Sequence, residues 1–302
     1  MKKFYSNGKL LITGEYLVLD GALSLAVPCK FGQSLSYEEH TECTINWQSF
    51  NSKGEVWFET TFNSENLEIL EFSDSNTVNW IRKILKTCYE ITKKKIKGTI
   101  SCHLEFPNNW GLGSSSTLLN NIAQLYQINP YEIHFSTTNG SGYDIACTLH
   151  HSPITYQLVN DKPISKPVNW SPNFKNEILF IFLNKKQKSY SEINRFNELN
   201  KNSKLIEDIS KITCNIIDSS SLDDFENQIS IHESIISSQL GITPVKQKYF
   251  SDFEGSIKSL GAWGGDFIMA TRNNKNYFIE KGFKTIFEFE EMVKTSNLKI
   301  AS

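Results

Sequence analysis

Residues 105–119 read EFPNNWGLGSSSTLL: the end of a strand-like run, a proline, two glycines, three serines and the first apolar residues of a helix. A core helix asks for one capping residue at its start. Here Gly111 and Gly113 flank Leu112, and Ser114, Ser115 and Ser116 follow without a break. Glycines lack a Cβ, so the backbone can pass close to a bulky ligand. The first N–H groups of the helix have no intrahelical partner, and the macrodipole adds partial positive charge at that end. The three hydroxyls can bind phosphate oxygens or a magnesium ion. Two readings stand side by side: a polyphosphate cradle, or an ordinary capped helix after a glycine turn. The stretch is neither the G-x-x-x-x-G-K-[ST] loop nor a complete dinucleotide fingerprint, because G-x-G-x-x-S lacks the last glycine.

Working outward, TISCHLEF (99–106) alternates as a strand and SSTLLNNIAQLYQI (115–128) reads as a helix, giving strand, loop, helix. Upstream, KLLITGEYLVL, ALSLAVP, QSLSYEE, CTINWQSF and EVWFETTF read as successive strands of an antiparallel sheet. SDSNTVNWIRKILKTCYEIT then changes period: Val78, Ile81, Ile84, Leu85 and Cys88 share one helix face, with Ser73 to Ser75 offering N-caps. Downstream, ITYQLV reads as a strand and the proline-rich DKPISKPVNWSPN (161–173) as an interdomain linker, placing a boundary near residue 165. The second half opens on the apolar strand ILFIFL (178–183) and continues in helices from about 189 to 259, among them LDDFENQISIHESIISSQLG with its glycine C-cap. GAWGGDFIMAT and KTIFEF supply later strands. The expectation is an α+β chain of two domains, 1–165 and 166–302.

Composition narrows the function. Lys and Arg total 31 against 33 Asp and Glu in 302 residues, so no general attraction to nucleic acid or an anionic membrane is expected. Any anion site is local. Cys29, Cys43, Cys88, Cys102, Cys147 and Cys214 are scattered without a C-x-x-C pair, which suits reduced thiols in a cytoplasmic protein. MKKFYSNGKLLITGEYLVLDG is interrupted by polar residues where a signal peptide needs an apolar core. No apolar run approaches the roughly 18 residues of a spanning helix.

Two further stretches carry chemistry. NGSGYDIA (139–146) sets Asp144 after Ser141 and Gly142, where a carboxylate either serves a purpose or caps the next helix. SLGAWGGDFIMAT (259–271) is a glycine-rich loop running into a strand. In order, GKLLITGEYLVLDGALSLAVP (8–28), PNNWGLGSSST (107–117) and GAWGGDFIMA (261–270) resemble the three motifs of the galactokinase, homoserine kinase, mevalonate kinase and phosphomevalonate kinase (GHMP) superfamily, and the resemblance spans nearly the whole chain.

That resemblance implies a two-domain GHMP kinase fold, with an N-terminal ATP-binding α/β sandwich and a ferredoxin-like C-terminal domain. It implies ATP and Mg2+ as cofactors and phosphoryl transfer to a small molecule, with a monomer or homodimer expected. By the same resemblance, Pro107, Gly111, Leu112, Gly113, Ser114, Ser115 and Ser116 wrap the triphosphate, Ser115 ligates magnesium, and Lys9 and Asp144 face the transferred group. Glu15 pairs Lys9, borders the acceptor or stands solvated at a strand end; Ser141, Gly142, Gly264 and Gly265 belong to the acceptor side. G-S-G-Y-D-I-A and Asp266 look most like the phosphomevalonate kinase branch, and NKKQKSYSE (184–192) offers Lys188 to a phosphorylated acceptor or to solvent. Phosphomevalonate is therefore the first expected substrate and mevalonate the second.

The departures matter as well. Ser115 and Asp144 lie closer in sequence than in most mevalonate kinases, so Glu132 is off the spacing of the usual magnesium-binding Glu. Trp110 and Trp263 stand in or beside glycine-rich loops, either altering nucleotide contacts or packing. These departures keep open a catalytically weak, nucleotide-binding regulatory protein on the same scaffold. A decarboxylase of the superfamily fits less well, because its N-x-A-x-x-K-Y-[WF]-G-K first motif is missing.

Overall fold

The computed structural model describes residues 1–184, 203–261 and 266–295. The chain divides into two compact units, one of Met1–Gly8, Phe31–Asn108 and Leu112–Leu149, the other of Lys9–Lys30, Asn109–Gly111 and His150–Ser302.

The first unit is a sheet with helices against it. Its strands are the start of β1 (Lys2–Leu11), the second half of β2 (Ser24–Glu39), β3 (Thr44–Phe50), β4 (Val56–Asn63), β5 (Ile69–Phe72) and β6 (Gly98–Leu104). They run in the order β5-β4-β3-β6-β2, with β1 also on β2. β2–β6, β3–β4 and β4–β5 are antiparallel, while β3 and β6 run parallel from Ile45↔Gly98 to Phe50↔His103. Alternation decides which face is buried: Ile45, Trp47 and Ser49 of β3 and Ile100, Cys102 and Leu104 of β6 point inward.

ALSLAVP and QSLSYEE, expected as two strands, join in the single strand β2. Its ladder to β6 starts at Gln33 and its ladder to β7 ends at Ala26, so Pro28, which has no N–H to donate, sits between them.

Helix α1 (Ser75–Thr92) starts where Asp74 accepts from the Thr77 amide at 2.7 Å. It buries Val78, Ile81, Ile84, Leu85 and Cys88, the face expected from their spacing. That face meets Trp47, Phe58, Phe62 and Ile100 of the sheet and Leu119 and Ile122 of α2 (Ser114–Tyr126) in one core. Each such side chain contributes about 1.5–3 kcal/mol on burial. Helices α3 (Pro130–Thr137) and α4 (Tyr143–Leu149) complete the unit. Asn129 caps α3, and Pro130 occupies a first-turn position where its missing N–H costs nothing.

In the second unit, β7 (Ile154–Val159) pairs with Ser24–Ala26 of β2 and with β8 (Lys162–Pro167). The segment expected to be a linker is thus partly an edge strand. Asn160 and Asp161 both have positive φ (51° and 60°), the signature of a two-residue hairpin turn, and prolines are tolerated at a sheet edge.

A second sheet holds β9 (Leu179–Phe182), β10 (Ile257–Leu260), β11 (Phe267–Ala270) and β12 (Ile286–Glu288) in the order β10-β11-β9-β12, all antiparallel. Between β9 and β10 lie α5 (Ser203–Asp218), α6 (Leu222–Leu240) and α7 (Val245–Tyr249); α8 (Lys275–Glu280) joins β11 to β12, and α9 (Phe289–Met292) follows. This is the ferredoxin-like arrangement, with Leu179, Ile181, Phe250, Ile268 and Phe278 in its core. Gly241 ends α6 with φ 63°, as expected. The helical region stops earlier than its pattern suggested, because Ile257–Leu260 pairs with β11 as a strand.

The first motif also departs from expectation. β1 ends at Leu11, and Leu17–Asp20 forms a 3-10 turn instead of continuing the strand. Gly14 (φ 87°) makes the break, and a Cβ there would run into the Ser24 side chain. No helix among the described residues is long and apolar enough to cross a membrane.

Candidate functional site

In the first unit, α2 begins without a side-chain cap. Gly113 is its N-cap, with φ 86° and ψ 44°. The amide of Thr117 makes the first intrahelical bond, to Gly113 O at 3.0 Å. The three serines divide by geometry. Ser116 is buried and donates to the Gly113 carbonyl at 2.9 Å, whereas Ser114 is half-buried and Ser115 exposed. The helix start therefore presents backbone amides and two hydroxyls, while the third hydroxyl stiffens the turn. Leu112 is fully buried and pins the loop. Pro107, half-buried, leads into the short 3-10 turn Asn108–Trp110.

A buried polar network sets the direction of α2. Ser6 donates to Asn121 Oδ1 (2.7 Å), Asn120 Nδ2 donates to Ser6 Oγ (2.8 Å), and Asn121 Nδ2 donates to the Gln33 carbonyl (2.9 Å). The Thr117 hydroxyl donates to Gln33 Oε1 (2.7 Å). Buried networks of this kind favour one orientation, because shifting the helix would leave more of these groups unpaired, although Asn120 Oδ1 is itself buried without a partner. The sequence signal was present in NNI inside an otherwise apolar helix, but its partners lie about 85 to 115 positions away.

Asp144 sits half-buried in the first turn of α4, its Oδ1 accepting from the Ile145 amide at 3.0 Å. Ser141 is buried and Gly142 has φ 85°. The loop before them is held by His134, itself buried on α3, whose Nε2 lies 3.2 Å from Gly140 O. Glu132 is exposed on the first turn of α3.

In the second unit, residues from all three motifs meet at Gly111. Lys9, half-buried on β1, donates from Nζ to Gly111 O at 2.9 Å. Gly111 has φ 66°, and a Cβ on it would collide with the Asp266 carboxylate. Burial raises the Asp266 carboxyl above its ordinary range, with the Lys9 ammonium pulling the other way. Trp110 lies 5.9, 5.8 and 5.3 Å from the rings of Phe182, Phe267 and Phe287. Of its two sequence readings, packing has direct support.

Glu15 is buried and pairs with Lys258, and its Oε2 lies 3.2 Å from His232 Nε2. The expected pairing with Lys9 gives way to this one, which anchors the first motif. Glu233 Oε1 lies 3.6 Å from Lys258 Nζ, and the Ser259 hydroxyl donates to Glu233 Oε2 at 3.3 Å. The Gly14 amide donates to His232 Nε2 (3.2 Å), and the Thr13 and Thr213 hydroxyls are 2.8 Å apart. Desolvation raises Glu15 and drives Glu233 up to about 7, and it lowers His232 well below its usual range. None of His232, Glu233 and Lys258 stood out in the sequence. The signal was weak but real: His232 and Glu233 follow Ile229 at the three- and four-residue spacing of a buried helix face.

Lys188, Trp263, Gly264 and Gly265 lie outside the described residues. Among the described residues no group of three or more His, Cys, Asp or Glu is placed to hold a metal ion.

Solved structures share this fold over nearly the full chain. Methanococcus jannaschii mevalonate kinase superposes with a TM-score of 0.71 at 15% identity, covering 98% of both chains. Streptococcus pneumoniae phosphomevalonate kinase, in complex with phosphomevalonate and AMPPNP, gives a TM-score of 0.71 at 14% identity over 95% of this chain and 100% of that one. Lactococcus lactis galactokinase, complexed with galactose, gives 0.66 at 12% identity over 98% and 94%. The chain has the fold of the GHMP kinases. No protein-family profile matches it, and no curated sequence matches it significantly.

Proposed function

We propose that this protein is an ATP- and Mg2+-dependent small-molecule kinase that transfers the γ-phosphoryl group to phosphomevalonate. The carrying observation is the meeting of Lys9, Gly111 and Asp266, from three distant motifs, beside a loop that leads into a helix without a side-chain cap. Uncapped amides and a backbone free of Cβ atoms suit a polyphosphate. In this reading 1–165 is the ATP-binding domain and 166–302 the C-terminal domain. The amides of Ser114 to Ser116 hold phosphate oxygens. Lys9 sets positive charge against the moving phosphoryl, and Asp144 orients the acceptor and takes its proton late in transfer. Magnesium, when bound with the nucleotide, neutralises phosphate charge; Ser115 and Glu132 are the oxygen donors assigned to it, and such ions keep several waters. Ser141, Gly142, Glu15, Lys188, Gly264 and Gly265 fall to the acceptor side, Glu15 by anchoring the first motif.

Mevalonate is the second acceptor, favoured by the equal TM-scores of 0.71 to the mevalonate and phosphomevalonate kinases. ADP release measured with each acceptor tests both. Faster release with phosphomevalonate supports the first reading and faster release with mevalonate the second. ATP binding with no turnover of either acceptor sinks both in favour of a regulatory role. Asp144→Ala is expected to abolish transfer while calorimetric ATP affinity stays within about twofold.

A further inference from the structure

Residues 138–142 alone connect α3 to α4, so their path decides where Asp144, in the first turn of α4, comes to rest. Gly140 and Gly142 lie in that connection, and glycine has more backbone freedom to lose on folding than any other residue. Asn139 and Gly140 are exposed, so little packing holds the middle of the segment. The ring of His134, 4% exposed on α3, reaches it there. His134 Nε2 lies 3.2 Å from Gly140 O. The approach is so close that a Cβ on Gly140 would stand 3.2 Å from ring carbon Cε1 and 3.3 Å from Nε2.

The chemistry of this contact fixes the ring. A carbonyl oxygen only accepts, so Nε2 carries the hydrogen and donates it. Nδ1 then faces the Thr138 hydroxyl at 3.2 Å. Thr138 is itself tied to α3, with its amide 2.8 Å and its hydroxyl 3.0 Å from the His134 carbonyl. The end of α3 is fastened to α1 by Lys83, whose Nζ donates to Thr137 O at 3.3 Å. Beyond Gly140, Ser141 is buried and Gly142 turns the chain with φ 85°. The Gly142 carbonyl then accepts from the Ala146 amide at 3.0 Å, which starts α4. An apolar side chain could fill the His134 position with no polar group to satisfy, so the imidazole is accounted for by its bond to the loop.

We infer that His134 is a positioning residue for phosphoryl transfer: by donating to Gly140 O it fixes the connection that sets Asp144 against the acceptor. It acts through Gly140 and not on the acceptor itself, and the inference rests on the kinase reading. Displacing a catalytic group by about 1 Å can cost on the order of a hundredfold in rate, so loss of the bond is read in kcat. The nucleotide loop at Gly111 to Ser116 makes none of these contacts, and its affinity for nucleotide is independent of them.

The test measures ADP release from the full chain with phosphomevalonate and with mevalonate, beside calorimetric titration of AMPPNP. Glutamine can place an amide nitrogen where Nε2 stood, whereas the shorter asparagine reaches only the Nδ1 position. His134→Gln is expected to keep kcat within about threefold of wild type and His134→Asn to lower it about tenfold or more, both with AMPPNP affinity within about twofold. Gly140→Ala, which presses a Cβ on the ring, should lower kcat in the wild type and add little in His134→Asn, where the bond is already lost. Amide hydrogen exchange across 139–144 should quicken in His134→Asn and stay near wild type in His134→Gln. A histidine needed only for stability would lower the urea midpoint and leave kcat per folded molecule unchanged. Unchanged kcat in His134→Asn, equal losses in the Gln and Asn variants, additive losses in the double variant, or unaltered exchange overturns the inference alone, provided the wild type turns over. A wild type that turns over neither acceptor removes the kinase reading and this role of His134 with it.

Discussion

Replacing Lys258 by methionine probes the charge cluster that anchors the first motif. Lys258 is fully buried on β10, pairs with Glu15 and lies 3.6 Å from Glu233. Methionine preserves most of the volume, so packing changes little. Glu15 and Glu233, 1% and 5% exposed, would then lose the ammonium that offsets their burial. Removing one partner of a buried pair costs about 3–5 kcal/mol. The sign with pH follows from linkage. Without the ammonium both folded-state carboxyls move further above their ordinary value of 4.5. Stability from a raised carboxyl is present below the unfolded value and lost as pH climbs through the folded one, so the deficit grows from pH 5.5 to pH 8. Urea unfolding followed by circular dichroism measures it at both pH values. The triple variant Glu15→Gln/Glu233→Gln/Lys258→Met should recover most of the deficit. A loss below about 1 kcal/mol at pH 8, or one as large at pH 5.5 as at pH 8, would refute the buried-pair account.

Other expectations use the same assays. With its carboxyl raised to about 7, Glu233 costs the wild type about 3 kcal/mol of stability as pH rises from about 4.5 to above 7; Glu233→Gln should flatten that slope, and an unchanged pH profile would count against it. Gly111→Ala forces a Cβ into the Asp266 carboxylate at φ 66°, so nucleotide affinity should fall about tenfold or more, read by calorimetry, and wild-type affinity would contradict the geometry at Gly111. Trp110→Ala strips a ring packed on Phe182, Phe267 and Phe287 and should cost about 2–4 kcal/mol in urea unfolding, whereas Trp110→Phe should retain most of it.

Local signals were legible one residue type at a time. Spacing alone placed the buried face of α1, the glycine stop of α6 and the strand-loop-helix order around Gly111, because each depends on neighbours within a turn or a pleat. The Asn160–Asp161 hairpin is equally local, but the prolines at 163 and 167 suit a linker as well as an edge strand, and composition does not separate the two. An edge strand accepts prolines, and pairing with β7 settles the matter. In the same way Ile257–Leu260 carried no strand signal of its own, and its partner in β11 supplies the ladder.

The amino-acid order by itself determined the glycines, serines and acids that a phosphate-handling loop requires, and the order in which three motifs follow one another. Tertiary structure decided which charges meet. Lys9, Gly111 and Asp266 converge through contacts spanning most of the chain, and Glu15 turns to Lys258, 243 positions away. The physical reason is desolvation: a carboxylate withdrawn from water must find a cation or a proton, and the search is over space, so no pattern of near neighbours records its outcome.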